Sequence, residues 1–216
     1  MQSPQRIAFV DLLRGWAVVF MIETHVVNAL LMPSLREQTS FSILKFMNGL
    51  VAPTFLFCAG FAFAITMQRK WNEYINVQKS FWLYIKRLLF ILIVGYSLHV
   101  PVFTLNGMLS LKDEMKWQTF FQSDILHVIS LTLLASVILI VFLRNQKTFT
   151  IVATLLALLI VFLAPIIREL DYSNSPPWFR SYLSINYESQ FPLFPWSAFL
   201  LGGMLVGVWI LKNFST

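Results

Sequence analysis

Charge is scarce in this chain. Asp, Glu, Lys and Arg make up 12% of 216 residues, against about a quarter in an ordinary soluble domain. Apolar residues reach 57% and the mean hydropathy is +0.70. That balance excludes a soluble core and points to a multispanning membrane protein. Cysteine is nearly absent: Cys58 is the single one, so no intrachain disulfide can form and no paired-thiol motif exists. Three histidines and no His-Glu-x-x-His leave metalloprotease chemistry without its signature. There is no phosphate-binding glycine loop and no Gly-x-Ser-x-Gly elbow. No internal repeat and no low-complexity tract is found. Nothing reads as a cleavable signal peptide, because the first apolar segment is long, carries charges and lacks a small-residue cleavage site; it is expected to stay as an anchor. The net charge of +6 reads as loop residues that orient a membrane protein, not as a nucleic-acid surface.

What is present is a series of apolar runs. Six are near the 20 residues that a ~30 Å hydrocarbon core demands: 7–31, 43–67, 81–104, 125–143, 148–167 and 192–212. The expected fold is therefore all-α, a polytopic bundle of about six transmembrane helices forming a single domain over 1–216. Residues 144–147 read as a hairpin turn. The stretches 105–124 and 168–191 read as long loops, and Pro176-Pro177-Trp178 excludes a regular helix in the second. Placing both termini in the cytoplasm puts nine Lys and Arg inside and six outside, with the clusters 69–70, 86–87 and 144–147 inside. The positive-inside tendency thus favours N-in/C-in.

The first run is unusual. It holds Asp11, Arg14, Glu23, His25 and Asn28, and ionisable groups within a span are costly unless they serve a cavity or a partner. Positions 11, 14, 18, 25 and 28 fall near one helical face. Arg14 and His25 are eleven residues apart, roughly 16 Å along the axis. With N-in topology His25, His99 and His127 all gather at the outer face, with Glu23, Asn28 and Asp124. His25 reads either as a general base with Asp124, Glu23 or a carbonyl orienting it, or as a structural histidine between helices. Arg14 reads either as an anion-binding cation or as the ion-pair partner of Asp11. A zinc site from the histidines and Asp124 is a weak third reading, since the spacing is not diagnostic; no metal is expected. Asn48, Gly49, Pro53, Thr54 and Gly60 interrupt the second run. The last begins Phe191-Pro192-Leu193-Phe194-Pro195-Trp196 and continues to Gly202, Gly203 and Gly207, where glycines suit close helix packing.

These segments carry a resemblance. Arg6-Ile7, Val10-Asp11, Leu13-Arg14-Gly15, Met21 and His25 resemble the opening of the heparan-alpha-glucosaminide N-acetyltransferase catalytic-domain family and its bacterial relatives. The basic residue and histidine separated by ten residues are similar to the first span of the wider membrane acyltransferase-3 group. Pro53-Thr54-Phe55-Leu56-Phe57-x-x-Gly60, Asp124-Ile125-Leu126-His127 and the Pro192 to Trp196 stretch with Gly202-Gly203 resemble later segments, in the family's order. The resemblance implies a transferase that takes an acyl group, as acetyl-CoA or another acyl-CoA, from the cytoplasm to a sugar hydroxyl or amine on the far side. By it, Asp11 and Arg14 would hold the coenzyme and His25 would be the catalytic histidine, with Asp124 and His127 in the same site. Asn28, Asn48, Thr54, His99 and Trp196 are further candidates, Asn48 and Thr54 as oxyanion donors. The family commonly has ten or eleven spans. Six imply a short member, a module cut short at its C-terminus, or half of a homo-oligomeric site. The expected setting is a bacterial cytoplasmic membrane, with lipid and a glycan acceptor as partners. The rival readings are a permeation protein using the same polar stripe and an inactive structural subunit.

Overall fold

The computed structural model describes residues 8–214. Arg6 and Ile7, which open the first expected span and its motif, lie outside them. Every regular element described is helical. The order is α1 (Ala8–Leu30), a 3-10 turn (Pro33–Glu37), α2 (Thr39–Gly49), α3 (Val51–Ile75), α4 (Lys79–Ser97), α5 (Leu105–Leu109), α6 (Glu114–Phe120), α7 (Ile125–Leu143), α8 (Gln146–Glu169), α9 (Pro177–Arg180), a second 3-10 turn (Ile185–Tyr187) and α10 (Leu193–Phe214).

Five helical stretches among the described residues are long and apolar enough to cross a bilayer: Thr39–Ile75, Lys79–Ser97, Ile125–Leu143, Gln146–Glu169 and Leu193–Asn213. The chain is thus a multi-pass integral membrane protein. The sixth expected span, α1, is a 23-residue helix whose polar side chains keep it out of that set. Two boundaries move. The third expected span, 81–104, ends as a helix at Ser97, so His99 lies in the turn beyond it. The second begins earlier, because α2 leads almost directly into α3 through Leu50. Pro177 does not prevent a helix: it opens the single turn α9, where a missing N–H and a fixed φ are tolerated.

Succession alone defines two ends. Residues 30–38, 98–124 and 170–192 lie at one, the loop-rich end; residues 76–78 and 144–145 lie at the other, the turn end. Arg144 in the left-handed conformation, φ 52, and Asn145, whose side chain caps α8, make the tight reversal between α7 and α8. Across the turn end Arg144 Nη2 donates to Asn76 Oδ1 at 3.4 Å.

The core forms where α3, α4, α7 and α10 meet, around the fully buried Leu56, Met67, Val128, Val137, Leu200 and Met204. Glycine governs the α3–α10 seam. A Cβ at Gly60 would fall 1.9 Å from the Leu200 carbonyl oxygen, and one at Gly203 would fall 2.0 Å from that of Phe57. Only glycine lets the backbones approach this closely, the usual way apolar helices associate in lipid. Gly202 faces open space.

The long loops fold over the loop-rich end as a cap. Arg180, 8% exposed, donates to Gln118 Oε1 at 2.5 Å and to Glu114 Oε1 at 3.1 Å. Gln118 Nε2 donates to Ser181 Oγ and to the Tyr187 carbonyl, both at 2.7 Å. Buried polar groups need such partners, so this network ties α6 to α9 and to the second 3-10 turn.

Candidate functional site

The start of α7 carries the most constrained chemistry. Asp124 precedes the helix as its N-cap, a role for which a short carboxylate is well suited. Its Oδ1 accepts from the Leu126 and His127 amides at 2.8 and 3.1 Å, and His127 Nδ1 lies 2.7 Å from the same oxygen. The Asp124 amide also points at Nδ1, at 3.3 Å. The two contacts assign opposite roles to that nitrogen. The shorter one decides: an ionised carboxylate only accepts, so Nδ1 carries the proton. Burial pushes the Asp124 carboxyl up, but the side-chain and backbone hydrogen bonds from His127 outweigh it and hold the carboxyl below its ordinary value.

With Nδ1 protonated, His127 Nε2 is a bare lone pair. The ring is 0% exposed and Nε2 has no hydrogen-bond partner among the described residues. A carboxylate-oriented imidazole with its far nitrogen unengaged is the arrangement a general base needs. The ring is held edge-on to Tyr96, centroids 4.4 Å apart, and 6.1 Å from the Tyr182 ring. Gly95 leaves room for it, since a Cβ there would sit 2.8 Å from Cε1. The Tyr96 and Tyr182 hydroxyls are hydrogen-bonded to each other, which ties α4 to the cap beside the imidazole. Burial and the neighbouring Tyr96 keep the Tyr182 phenol strongly raised, so it stays a neutral donor. His99 Nδ1 bonds the Gly95 carbonyl at 3.0 Å and lies 3.9 Å from Asp124 Oδ2. Asp124, His99 and His127 therefore assemble as one group. Among the described residues no set of three or more His, Cys, Asp and Glu is arranged to hold a metal ion.

The remaining sequence candidates lie elsewhere. His25 is exposed on α1 and makes no hydrogen bond, ion pair or ring contact to that group. The reason is the register of α1. With its amide nitrogen turned toward acceptors, Asn48 donates to Glu23 Oε2 at 2.9 Å, and Phe9, Val10 and Leu13 line one small apolar cavity with Phe57, Cys58 and Phe61. Glu23 thus stands level with the start of α3, and Arg14 falls near Cys58, about 10 Å into α3, not close to the turn end. Arg14 Nη2 pairs with Asp11 Oδ1 at 3.1 Å, with side chains 56% and 48% exposed. The Asn28 carbonyl accepts from Arg36 at 2.8 Å. Thr54 is half-buried in the first turn of α3. Trp196 packs edge-on against Phe191, centroids 4.8 Å apart.

Sequence reasoning missed Tyr96, Tyr182 and Arg180. Tyr96 stands three residues before His99, which was a usable signal. Nothing local marks Tyr182, bonded to Tyr96 86 residues away, or Arg180, whose side-chain partners Gln118 and Glu114 are 62 and 66 residues away in sequence. It missed as well a cleft of about 740 Å³ at the turn end, between α3, α8 and α10, to which Gln68, Gln146, Lys147, Thr150 and Lys212 contribute. Ile151, Leu205, Val208, Trp209 and Leu211 complete a lining that is largely apolar, with two lysines that suit the anionic end of a ligand.

Residues 6–216 match the family model described as heparan-alpha-glucosaminide N-acetyltransferase, catalytic. No curated protein and no solved structure matches.

Proposed function

This chain belongs to the heparan-alpha-glucosaminide N-acetyltransferase catalytic family, and from that premise we propose that it is a membrane acetyltransferase acting on a glycan. Acetyl-CoA is the donor, and an amino or hydroxyl group of a sugar is the acceptor. The observation that supports this most directly is the His127 ring, oriented by Asp124 and with Nε2 unengaged.

In the proposed reaction Nε2 takes the proton of the acceptor N–H or O–H as its lone pair attacks the thioester carbonyl. A C–N or C–O bond forms and a tetrahedral oxyanion develops. The oxyanion collapses, the C–S bond breaks, and the proton passes from Nε2 to the departing sulfur. The products are an acetylated sugar and free coenzyme thiol. Asp124 keeps the imidazole in the productive tautomer and stabilises the imidazolium. The thioester is already activated, so alignment, proton removal and oxyanion stabilisation are the main tasks. Tyr182, kept neutral, is a donor of the right kind for the oxyanion. Nε2 is buried, so in this reading acceptor entry requires the cap segment 170–192, which carries Tyr182 against the imidazole, to lift.

The donor's phosphates are assigned to the turn end, where Lys147 and Lys212 contribute to the cleft. Arg14 with Asp11 is a second, deeper cation for the same donor. With N-in topology the turn end is cytoplasmic and the loop-rich end meets the acceptor, in a bacterial cytoplasmic membrane. A second reading keeps His25 as the base. It is favoured by accessibility, since His25 is exposed whereas His127 is enclosed.

The test is acetyl transfer from radiolabelled acetyl-CoA to a glycan panel by the full chain in nanodiscs. The first reading expects His127→Gln to abolish transfer with coenzyme still bound and His25→Ala to retain it; the reverse pattern moves the base to His25. A wild type that neither binds coenzyme nor transfers label overturns both and leaves a permeation or structural role.

A further inference from the structure

A second polar concavity lies at the loop-rich end, away from His127. It is a cleft of about 430 Å³ between α1, the first 3-10 turn and α2, lined by Thr24, Asn28, Arg36, Phe41, Lys45 and Asn48. Two of those six are cations and none is an acid. Neither Arg36 nor Lys45 is ion-paired among the described residues. Glu23, the nearest acid on α1, is engaged by the Asn48 amide. One Arg36 N–H goes to the Asn28 carbonyl at 2.8 Å, which fixes the guanidinium at the cleft and leaves its other donors for a ligand. The Thr24 hydroxyl is used on the Phe20 carbonyl and the Asn48 amide on Glu23, so the remaining Arg36 N–H groups, the Lys45 ammonium and the Asn28 carboxamide form the donor set for a phosphate ester.

The surroundings say which kind. No residue of α2 is buried, although it carries Ile43 at 65% and Phe46 at 70% exposure. Leu30, at the end of α1, is 78% exposed, and Met32 follows at 66%. A basic cleft framed by uncovered apolar side chains, where helices leave the bundle, matches a molecule that is anionic at one end and hydrocarbon at the other. Its residues flank the loop-rich start of α3, the end of a spanning stretch, where a headgroup region is expected. A free sugar phosphate would not use the apolar frame, and a zwitterionic headgroup would not use two unpaired cations.

We infer that the α1–α2 cleft is a binding site for an anionic phospholipid, with the headgroup phosphate on Arg36 and Lys45 and the acyl chains along Leu30, Met32, Ile43 and Phe46. It fastens α1, which packs chiefly on α3, to the bundle through lipid. This does not rest on the transferase reading.

The experiment is native mass spectrometry of the full chain in detergent, titrated with phosphatidylglycerol or phosphatidylcholine of matched chains. Wild type is expected to retain phosphatidylglycerol about tenfold better than phosphatidylcholine. Arg36→Gln with Lys45→Gln should erase that preference, while Arg36→Lys with Lys45→Arg should keep most of it. Both side chains are exposed, so folding is preserved, and an unchanged circular-dichroism melt checks this. Equal binding of the two lipids by wild type, or an undiminished preference in the Gln variant, overturns the proposal. Displacement of phosphatidylglycerol by equimolar inorganic phosphate also overturns it, because the site would then take a soluble anion.

Discussion

His127 Nδ1 and Asp124 Oδ1 lie 2.7 Å apart at the first turn of α7, and that same oxygen caps the helix through the Leu126 and His127 amides. One carboxylate thus does two jobs, and the two can be separated. Asparagine caps a helix about as well as aspartate but cannot hold the imidazole as an anion does. Asp124→Asn should therefore leave the melting temperature within a few degrees of wild type while lowering acetyl transfer by a factor of about 10² to 10⁴. Asp124→Ala should in addition cost about 1 kcal/mol of stability. Wild-type turnover in the Asn variant would remove His127 from the mechanism.

The same carboxylate gives an acid limb. Its pKa is lowered in the fold, so its contribution to stability is complete above the unfolded value of about 4. That contribution disappears as pH falls through the lower folded value. Thermal melts between pH 6 and pH 3 should show a steeper loss for wild type than for Asp124→Asn below about pH 4.

Neighbouring glycines should behave oppositely. Gly203→Ala would push a Cβ to 2.0 Å from the Phe57 backbone, while Gly202→Ala meets nothing within 4 Å. The first should destabilise by about 3 kcal/mol, the upper end of the overpacking range, since backbone cannot step aside as side chains do. The second should be neutral or stabilising by about 0.5–1 kcal/mol. Melts of the two single variants decide it, and similar values would disprove the α3–α10 seam.

Gly95→Ala acts at the site itself. The new Cβ would meet His127 Cε1 at 2.8 Å, which must tilt the ring off Asp124 or shift α4. Transfer should fall about tenfold or more with a stability loss of about 1–3 kcal/mol. Activity and melts, measured together, test this, and unchanged activity would contradict the close contact between α4 and the imidazole.

Sidedness can be read by labelling. In a Cys58→Ser background, Glu37→Cys and Arg144→Cys lie at opposite ends of the bundle and should react with an impermeant maleimide from opposite sides. Reaction of position 37 from the cytoplasm alone would invert the proposed orientation.

Composition and run length were enough to determine an all-α membrane bundle. With so few charges and so many apolar stretches, no water-soluble packing satisfies the chain, and backbone polar groups in lipid leave helices as the solution. The Asp124–His127 contact was legible too, because it spans one helical turn. The grouping of histidines was legible only in part. Topology assigns residues to an end of the bundle but says nothing about the height or rotation of a helix. The Glu23–Asn48 contact and the cavity that Leu13 shares with Cys58 mark a register of α1 that separates His25 from His127 and moves Arg14 away from the turn end. Tyr182 and Arg180 belong to loops whose partners are distant in sequence, and the α1–α2 cleft exists only because two helices and a short turn converge. Local pattern fixes which residues share a face; the approach of one backbone to another, permitted by Gly60, Gly95 and Gly203, decides which faces meet.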